Sequence, residues 1–520
     1  MKKAPIVIGT KPQLFVDDHL IEMAHSVTRA LHAPTKHPAN PIVKKDRPWE
    51  DVLYFRTNTF NVYWDAQEHL FKLWYEDLGW DYNLFMGRGP DGEKSVARKG
   101  FGETCHNRYL YAESGDGIVW QKPPIGRTQA DGARTNIVMG TDEERVHSCS
   151  ILMDPFDRDP ARRFKALYFR EGGGIAWGRL TAAYSADGRV WTQEDRPVVV
   201  GEVSGHVTGD VIVFTADAES GLYWLDTRER SMCERLVYPK HPVPRGWGYP
   251  YYPNEPLRTA KRSIFTTLSY DILQWPALKE ILRPVGPEHN IDEEFYGMTR
   301  FRVGDLYLAF LVVHRKTVNT QEIRLMYSRD GLNWRPAGDG RPLIPHGGDG
   351  EWDQFMVETC TPPVFLEDEW RVYYAGSNLH HDWWMFGEEE GLDHPEARSG
   401  WNGGETALGL AIIRPDGFVS VDARIREGVV ITSPFVSVGS AAVVNIECSG
   451  KGYFEAELSS ADDDVIPGYE RSAYDTFRGD AVKHVLTWRG KSELPREVLS
   501  RGAKLRFFFR NASLYSFRVV

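Results

Sequence analysis

Cysteine is scarce in this chain and forms no pattern. Its 520 residues include five, at Cys105, Cys149, Cys233, Cys360 and Cys448, scattered and without a CxxC pair. That excludes a disulfide framework and a thiolate zinc site, and reads as reduced thiols in a cytoplasmic protein. Long apolar runs are missing too, since no stretch approaches the ~18 residues of a membrane span. Lys2 and Lys3 resemble the start of a signal peptide, but Pro5, Gly9, Lys11 and Pro12 interrupt any apolar segment behind them. Positive charge is outnumbered: 62 Lys and Arg stand against 73 Asp and Glu, a net charge of −11. Neither a nucleic acid nor an anionic membrane is an expected partner. There is no P-loop, no GxGxxG behind a strand, no GxSxG elbow and no HExxH. His106, His206 and His289 lack ligand-like spacing, so no metal and no other cofactor is expected.

Aromatic residues, by contrast, are plentiful at 12%, with 17 Trp. Such enrichment suits surfaces that stack on sugar rings, although all-β cores use the same residues. The chain is also too long for one hydrophobic core, so either several domains or a repeat must carry it.

A repeat is present. Ser-x-Asp-Gly-x-x-Trp occurs from Ser114 to Trp120, Ser185 to Trp191 and Ser328 to Trp334. A fourth copy, Ser269 to Trp275, has Ile272 in place of Gly, and Arg414-Pro415-Asp416-Gly417 is a weaker fifth echo. Asp-Gly supplies the positive-φ positions of a tight turn, and the Ser and Asp side chains bond nearby backbone amides. Each copy follows a strand-like run: YLYAE, LTAAY, SIFTTL, IRLMY and ALGLAII. Five hairpin-like segments alternate with the five motifs, among them TFNVYWDAQEHLFKLWYED and PPVFLEDEWRVYYAG. The copies lie roughly 60–85 residues apart, room for about four short strands and their loops. The expected fold is all-β: a five-bladed β-propeller over residues 1–425, with a binding or catalytic funnel at its centre. Beyond residue 425 the motif stops, and six strand-like runs in under a hundred residues predict a β-sandwich over 426–520. One short helix is expected around Leu494 to Ser500.

Several local motifs carry a family resemblance. They are Leu14-Phe15-Val16-Asp17-Asp18-His19-Leu20-Ile21-Glu22, FKLWYED at 71–77, DPFDRDPARRFKAL at 154–167, Pro467-Gly468-Tyr469, and Leu505-Arg506-Phe507 through Leu514-Tyr515-Ser516-Phe517. With the expected architecture, these resemble the five-bladed glycoside hydrolases of families 32 and 43, and more closely a set of bacterial family 32-like proteins. The resemblance implies a glycosidase acting on a furanoside or related terminal sugar. It breaks at one point, because the first inner strand of those families carries an acid. Here the strand reads Tyr54-Phe55-Arg56-Thr57-Asn58-Thr59-Phe60-Asn61, with no carboxylate.

Glycoside hydrolysis needs one carboxyl that donates a proton and another that attacks or activates water. Acids near the first strand of each hairpin are therefore the candidates. Asp210 is read as nucleophile or base, Glu358 in an apolar strand as general acid, and Glu294 as a third catalytic acid. For substrate binding the candidates are Arg56, His147, Asp353, His381, Trp383 and Trp384, the two tryptophans as stacking platforms. His147 can bind a hydroxyl, ligate an ion or shuttle a proton; Arg56 can orient substrate or pair with a funnel acid. Other readings of the same funnel are a carbohydrate lyase or phosphorylase, and a non-catalytic sugar-binding propeller.

Overall fold

A computed structural model describes residues 4–520 except 86, 90–94, 98–103, 127–128, 131–132, 142–143, 172–178, 205–208, 233–259, 287–288, 291, 317 and 382–405. The regular secondary structure of the described residues is nearly all strand, arranged in several sheets, none of them closed on itself. Three are four-stranded and antiparallel, each built in chain order from a hairpin outward. The first contains Phe60–Asp65, Leu70–Trp80, Cys105–Ser114 and Ile137–Met139. The second contains Arg145–Met153, Phe164–Glu171, Arg179–Ser185 and Thr192–Gln193. The third contains Ile212–Asp217, Leu222–Met232, Ala260–Ser269 and Lys279–Leu282.

A nine-stranded sheet continues the series as two units. One is Glu293–Val303, Leu306–Arg315, Thr320–Ser328 and Arg335–Pro336. The other is Met356–Glu358 with Val364–Phe365, then Trp370–Ser377, Thr406–Ile413 and, from the N-terminal end of the chain, Thr35–Lys36. A single parallel pairing, Gln321 with Met356, joins them. We call these units the fourth and fifth sheets.

The repeat motif has one structural job, a turn that locks each third strand to the next segment. Ser114, Ser185 and Ser328 each accept from the amide of the glycine three residues on, at 2.8–2.9 Å. Asp116, Asp187 and Asp330 accept from the amides two and three residues on. Gly117, Gly188 and Gly331 have φ of +70°, +78° and +74°, which only glycine adopts freely. The turns also tie one sheet to another. Trp74 of the first sheet donates to Gly188 O at 2.6 Å, and Tyr373 of the fifth donates to Gly117 O at 3.0 Å.

Contacts near the first strands run from sheet to sheet in order. Asn61 accepts from Ile151 N (2.8 Å) and Ser150 from Phe214 N (2.8 Å), linking first to second and second to third. Tyr307 donates to Asp217 (2.6 Å), linking fourth to third, and Val62 N donates to Thr361 (3.2 Å), linking first to fifth. Apolar clusters fill the gaps between neighbouring sheets; one packs Phe60, Leu73 and Leu110 against Tyr373 and Leu408.

A ten-stranded sheet covers the C-terminal region. Its long strands Ala442–Ser460 and Ala503–Val519 pair over most of their length, with register shifts after Asn445 and Cys448. Four N-terminal strands join it: Ile6–Val7, Gln13–Leu14, Ile21–His25 and Thr28–Leu31. The Leu14–Glu22 motif thus sits on C-terminal partners, with Phe15 stacked 5.8 Å from Phe517. The short helix is Arg496–Arg501, stopped at Gly502. Among the described residues no helix is long and apolar enough to cross a membrane.

Candidate active site

The segment before Phe60 is the hub of the molecule. Thr57 donates to Glu358 through its backbone amide (2.9 Å) and its hydroxyl. Asn58 donates through its side-chain amide to Ser148 Oγ and, at 2.8 Å, to the Asp210 carbonyl. Ser148 Oγ donates to that same carbonyl at 2.6 Å. A Cβ built on Gly297 would run into Thr57 Cγ2 and lie 3.4 Å from Val211 Cγ1. Two adjacent residues therefore touch segments that open the second, third, fourth and fifth sheets. No first-sheet carboxylate is needed for this convergence, because a threonine and an asparagine make it.

Around the hub lie most of the expected site residues. Asp210 is held by Arg228 Nη2 and keeps 37% of its side chain exposed. Its position depends on Gly209, where a Cβ would collide with Arg228 O. Burial would push the Asp210 carboxyl up, but the Arg228 guanidinium, with His147 and Arg262 nearby, holds it below the usual carboxylate range. Glu294 is almost fully buried; Arg262 Nη1 donates to it at 2.5 Å, and Lys316 Nζ lies 3.3 Å away. Against the upward push of burial, Arg262 and then Lys316 bring it down to about 2. Glu358, 1% exposed, receives Arg56 Nη1 at 3.3 Å besides Thr57. Arg56 is buried as well and also donates to Met356 Sδ.

His147 meets a residue that inspection of first strands misses. Its Nδ1 lies 2.7 Å from Glu76 Oε1. Glu76 is fully buried on the second strand of the first sheet and also accepts from Ser148 N and Tyr109 OH, both at 3.1 Å. The run Lys72, Trp74, Glu76 alternates with Phe71, Leu73, Tyr75, so the period of a strand already separates Glu76 from the apolar face. Arg228 and Arg262 are further additions, from the second and third strands of the third sheet. Both guanidinia pack on the ring of Tyr296, at 4.0 and 5.2 Å from its centroid. His381 joins there: its ring lies 4.8 Å from Tyr296 and 4.6 Å from His314, and its amide donates to Asn319 O.

Asp353 is bonded within the fifth sheet. It accepts from Lys36 Nζ at 2.6 Å and Tyr374 OH at 3.0 Å, partners on the outermost and middle strands of the fifth sheet. Trp383 and Trp384 fall outside the described residues. Among the described residues no cluster of three His, Cys, Asp or Glu side chains is placed to hold a metal ion.

No family model matches the chain, and no curated protein matches it. Solved structures share its outline distantly. A β-1,2-mannobiose phosphorylase from Listeria innocua is 9% identical, covering 73% of this chain and 96% of its own, at a TM-score of 0.44. A glycosyl hydrolase from Bacteroides ovatus is 13% identical over 74% of this chain and 95% of its own, at 0.41. An N-acetylgalactosamine deacetylase from F. plautii is 12% identical over 75% and 96%, also at 0.41. At these scores the likenesses carry no weight for the chemistry of this chain.

Proposed function

We propose that the chain is a glycoside hydrolase that cleaves a terminal sugar unit in the centre of a five-bladed β-propeller. The blades are the five sheets above, within residues 1–425, and the ordered contacts between neighbours, from first to second and finally fifth to first, support that count. A β-sandwich over 426–520, joined by the N-terminal strands, completes the reading. The furanoside preference and the oligosaccharide partner follow from the motif resemblance, and a cytoplasmic site of action from the unpaired pattern of cysteines.

The observation that carries the catalytic reading is Asp210. It is a half-exposed carboxylate, kept ionised by Arg228, at the point where segments opening four of the sheets meet. An ionised carboxylate beside bound sugar attacks the anomeric carbon or activates a water. The leaving oxygen needs a proton, and His147 supplies it, fixed through Nδ1 by Glu76. This reading departs from the expected pairing of Asp210 with Glu358 or Glu294: the proton donor is His147, and Glu76 acts through its imidazole. Glu294 and Glu358 support the site by anchoring Arg262, Lys316 and Arg56. Asp353 braces the fifth sheet through Lys36.

Incubation of the full-length protein with a panel of oligosaccharides and aryl glycosides tests the reading. Release of a free monosaccharide from at least one is expected. Substrates recovered intact across pyranosides and furanosides of both anomers would overturn it.

A further inference from the structure

A buried guanidinium donor in the central site has no hydrogen-bond partner among the described residues. Arg228 is 7% exposed. Its Nη2 holds Asp210 and its plane lies over Tyr296, while Nη1 is buried with no hydrogen-bond partner among the described residues. Such a nitrogen is costly to bury unless a ligand oxygen completes it. Its neighbours sharpen what kind of oxygen that is. Arg262, on the same tyrosine ring, already shares Glu294 with Lys316. Two guanidinia gathered on one ring repel each other, and an anion beside them relieves that repulsion.

We propose that the central site binds an oxyanion through Arg228, either the carboxylate of an acidic sugar or inorganic phosphate. Carboxylate and phosphate oxygens match the donors of a guanidinium and make charge-assisted bonds roughly twice as strong as neutral ones. A sugar-borne carboxylate makes the substrate a uronic acid glycoside. Phosphate makes it the acceptor of the cleaved sugar in place of water. The proposal takes the location of the site from the glycoside-cleaving reading, but its test needs no turnover.

The test is calorimetric titration of the full-length protein with glucuronate, inorganic phosphate and glucose at low ionic strength. At least one anion is expected to bind ten or more times more tightly than glucose. The stronger of the two names the source. Arg228→Met is expected to remove that tenfold preference. Asp210→Asn, which removes a competing carboxylate, is expected to tighten the anion severalfold, and serves if Arg228→Met fails to fold. Neither anion exceeding glucose, or an undiminished preference in Arg228→Met, would overturn the proposal. A failure here leaves glycoside cleavage standing, and a failure to cleave any glycoside leaves a measured anion preference standing.

Discussion

The side-chain amide of Asn58 donates to the backbone carbonyl of Asp210 at 2.8 Å, tying the segment before the first sheet to the opening of the third. The same amide donates to Ser148 Oγ, so one side chain spans three sheets. Asn58→Ala leaves two buried acceptors short of a donor. The expected cost is about 1–3 kcal/mol of stability with a loss of turnover, and Asn58→Asp, whose carboxylate cannot donate to either acceptor, is expected to recover neither. Thermal melts and steady-state kinetics on the two variants check this.

Gly209 precedes the central carboxylate where a Cβ would strike Arg228 O. Gly209→Ala must therefore push Asp210 away from its guanidinium partner. Strain of this kind costs about 1–3 kcal/mol, and a lowered melting temperature together with lost activity is the expected result. An alanine variant with full activity would mean that the backbone here yields freely.

Acid titration reports on Glu294. Its folded-state pKa is depressed to about 2 from an ordinary 4.5, because Arg262 and Lys316 outweigh burial. A depressed acid contributes stability that is complete above the unfolded value and fades as pH falls toward the folded one. Glu294→Gln is thus expected to be less stable than the wild type at neutral pH, with the gap narrowing between pH 4.5 and 2. Parallel curves across that window would contradict the assignment.

Much of this organisation is legible in the chain itself, because it rests on local chemistry. The Ser-x-Asp-Gly turns form from residues three apart, and their hydrogen bonds recur at Ser114, Ser185 and Ser328 alike. Even the degenerate copy keeps part of the pattern, with Trp275 donating to Ile272 O at 2.7 Å. Asp210, Glu294, Glu358, Arg56 and His147 are also visible as polar residues near the starts of hairpins, and His381 as part of the long loop after the fifth hairpin.

What the sequence hides is non-local. Glu76, Arg228 and Arg262 sit on second or third strands, and only the stacking of one sheet beside another brings them to His147, Asp210 and Tyr296. Asp353 looks like a funnel acid by position, yet its partner Lys36 lies more than three hundred residues away, in a strand contributed by the N-terminal end. The four N-terminal strands that join the C-terminal sheet are hidden for the same reason: strand pairing across the whole chain leaves no local signature.

The central claim is that Asp210 is the ionised carboxylate that does the chemistry. Its most direct test is kcat/KM of wild type and Asp210→Asn on the substrate that the panel identifies, with melting temperatures measured in parallel. The account predicts a fall of about a thousandfold or more in Asp210→Asn, in the upper range for loss of a positioned catalytic group, with the fold intact. An Asp210→Asn enzyme within tenfold of wild type would contradict it.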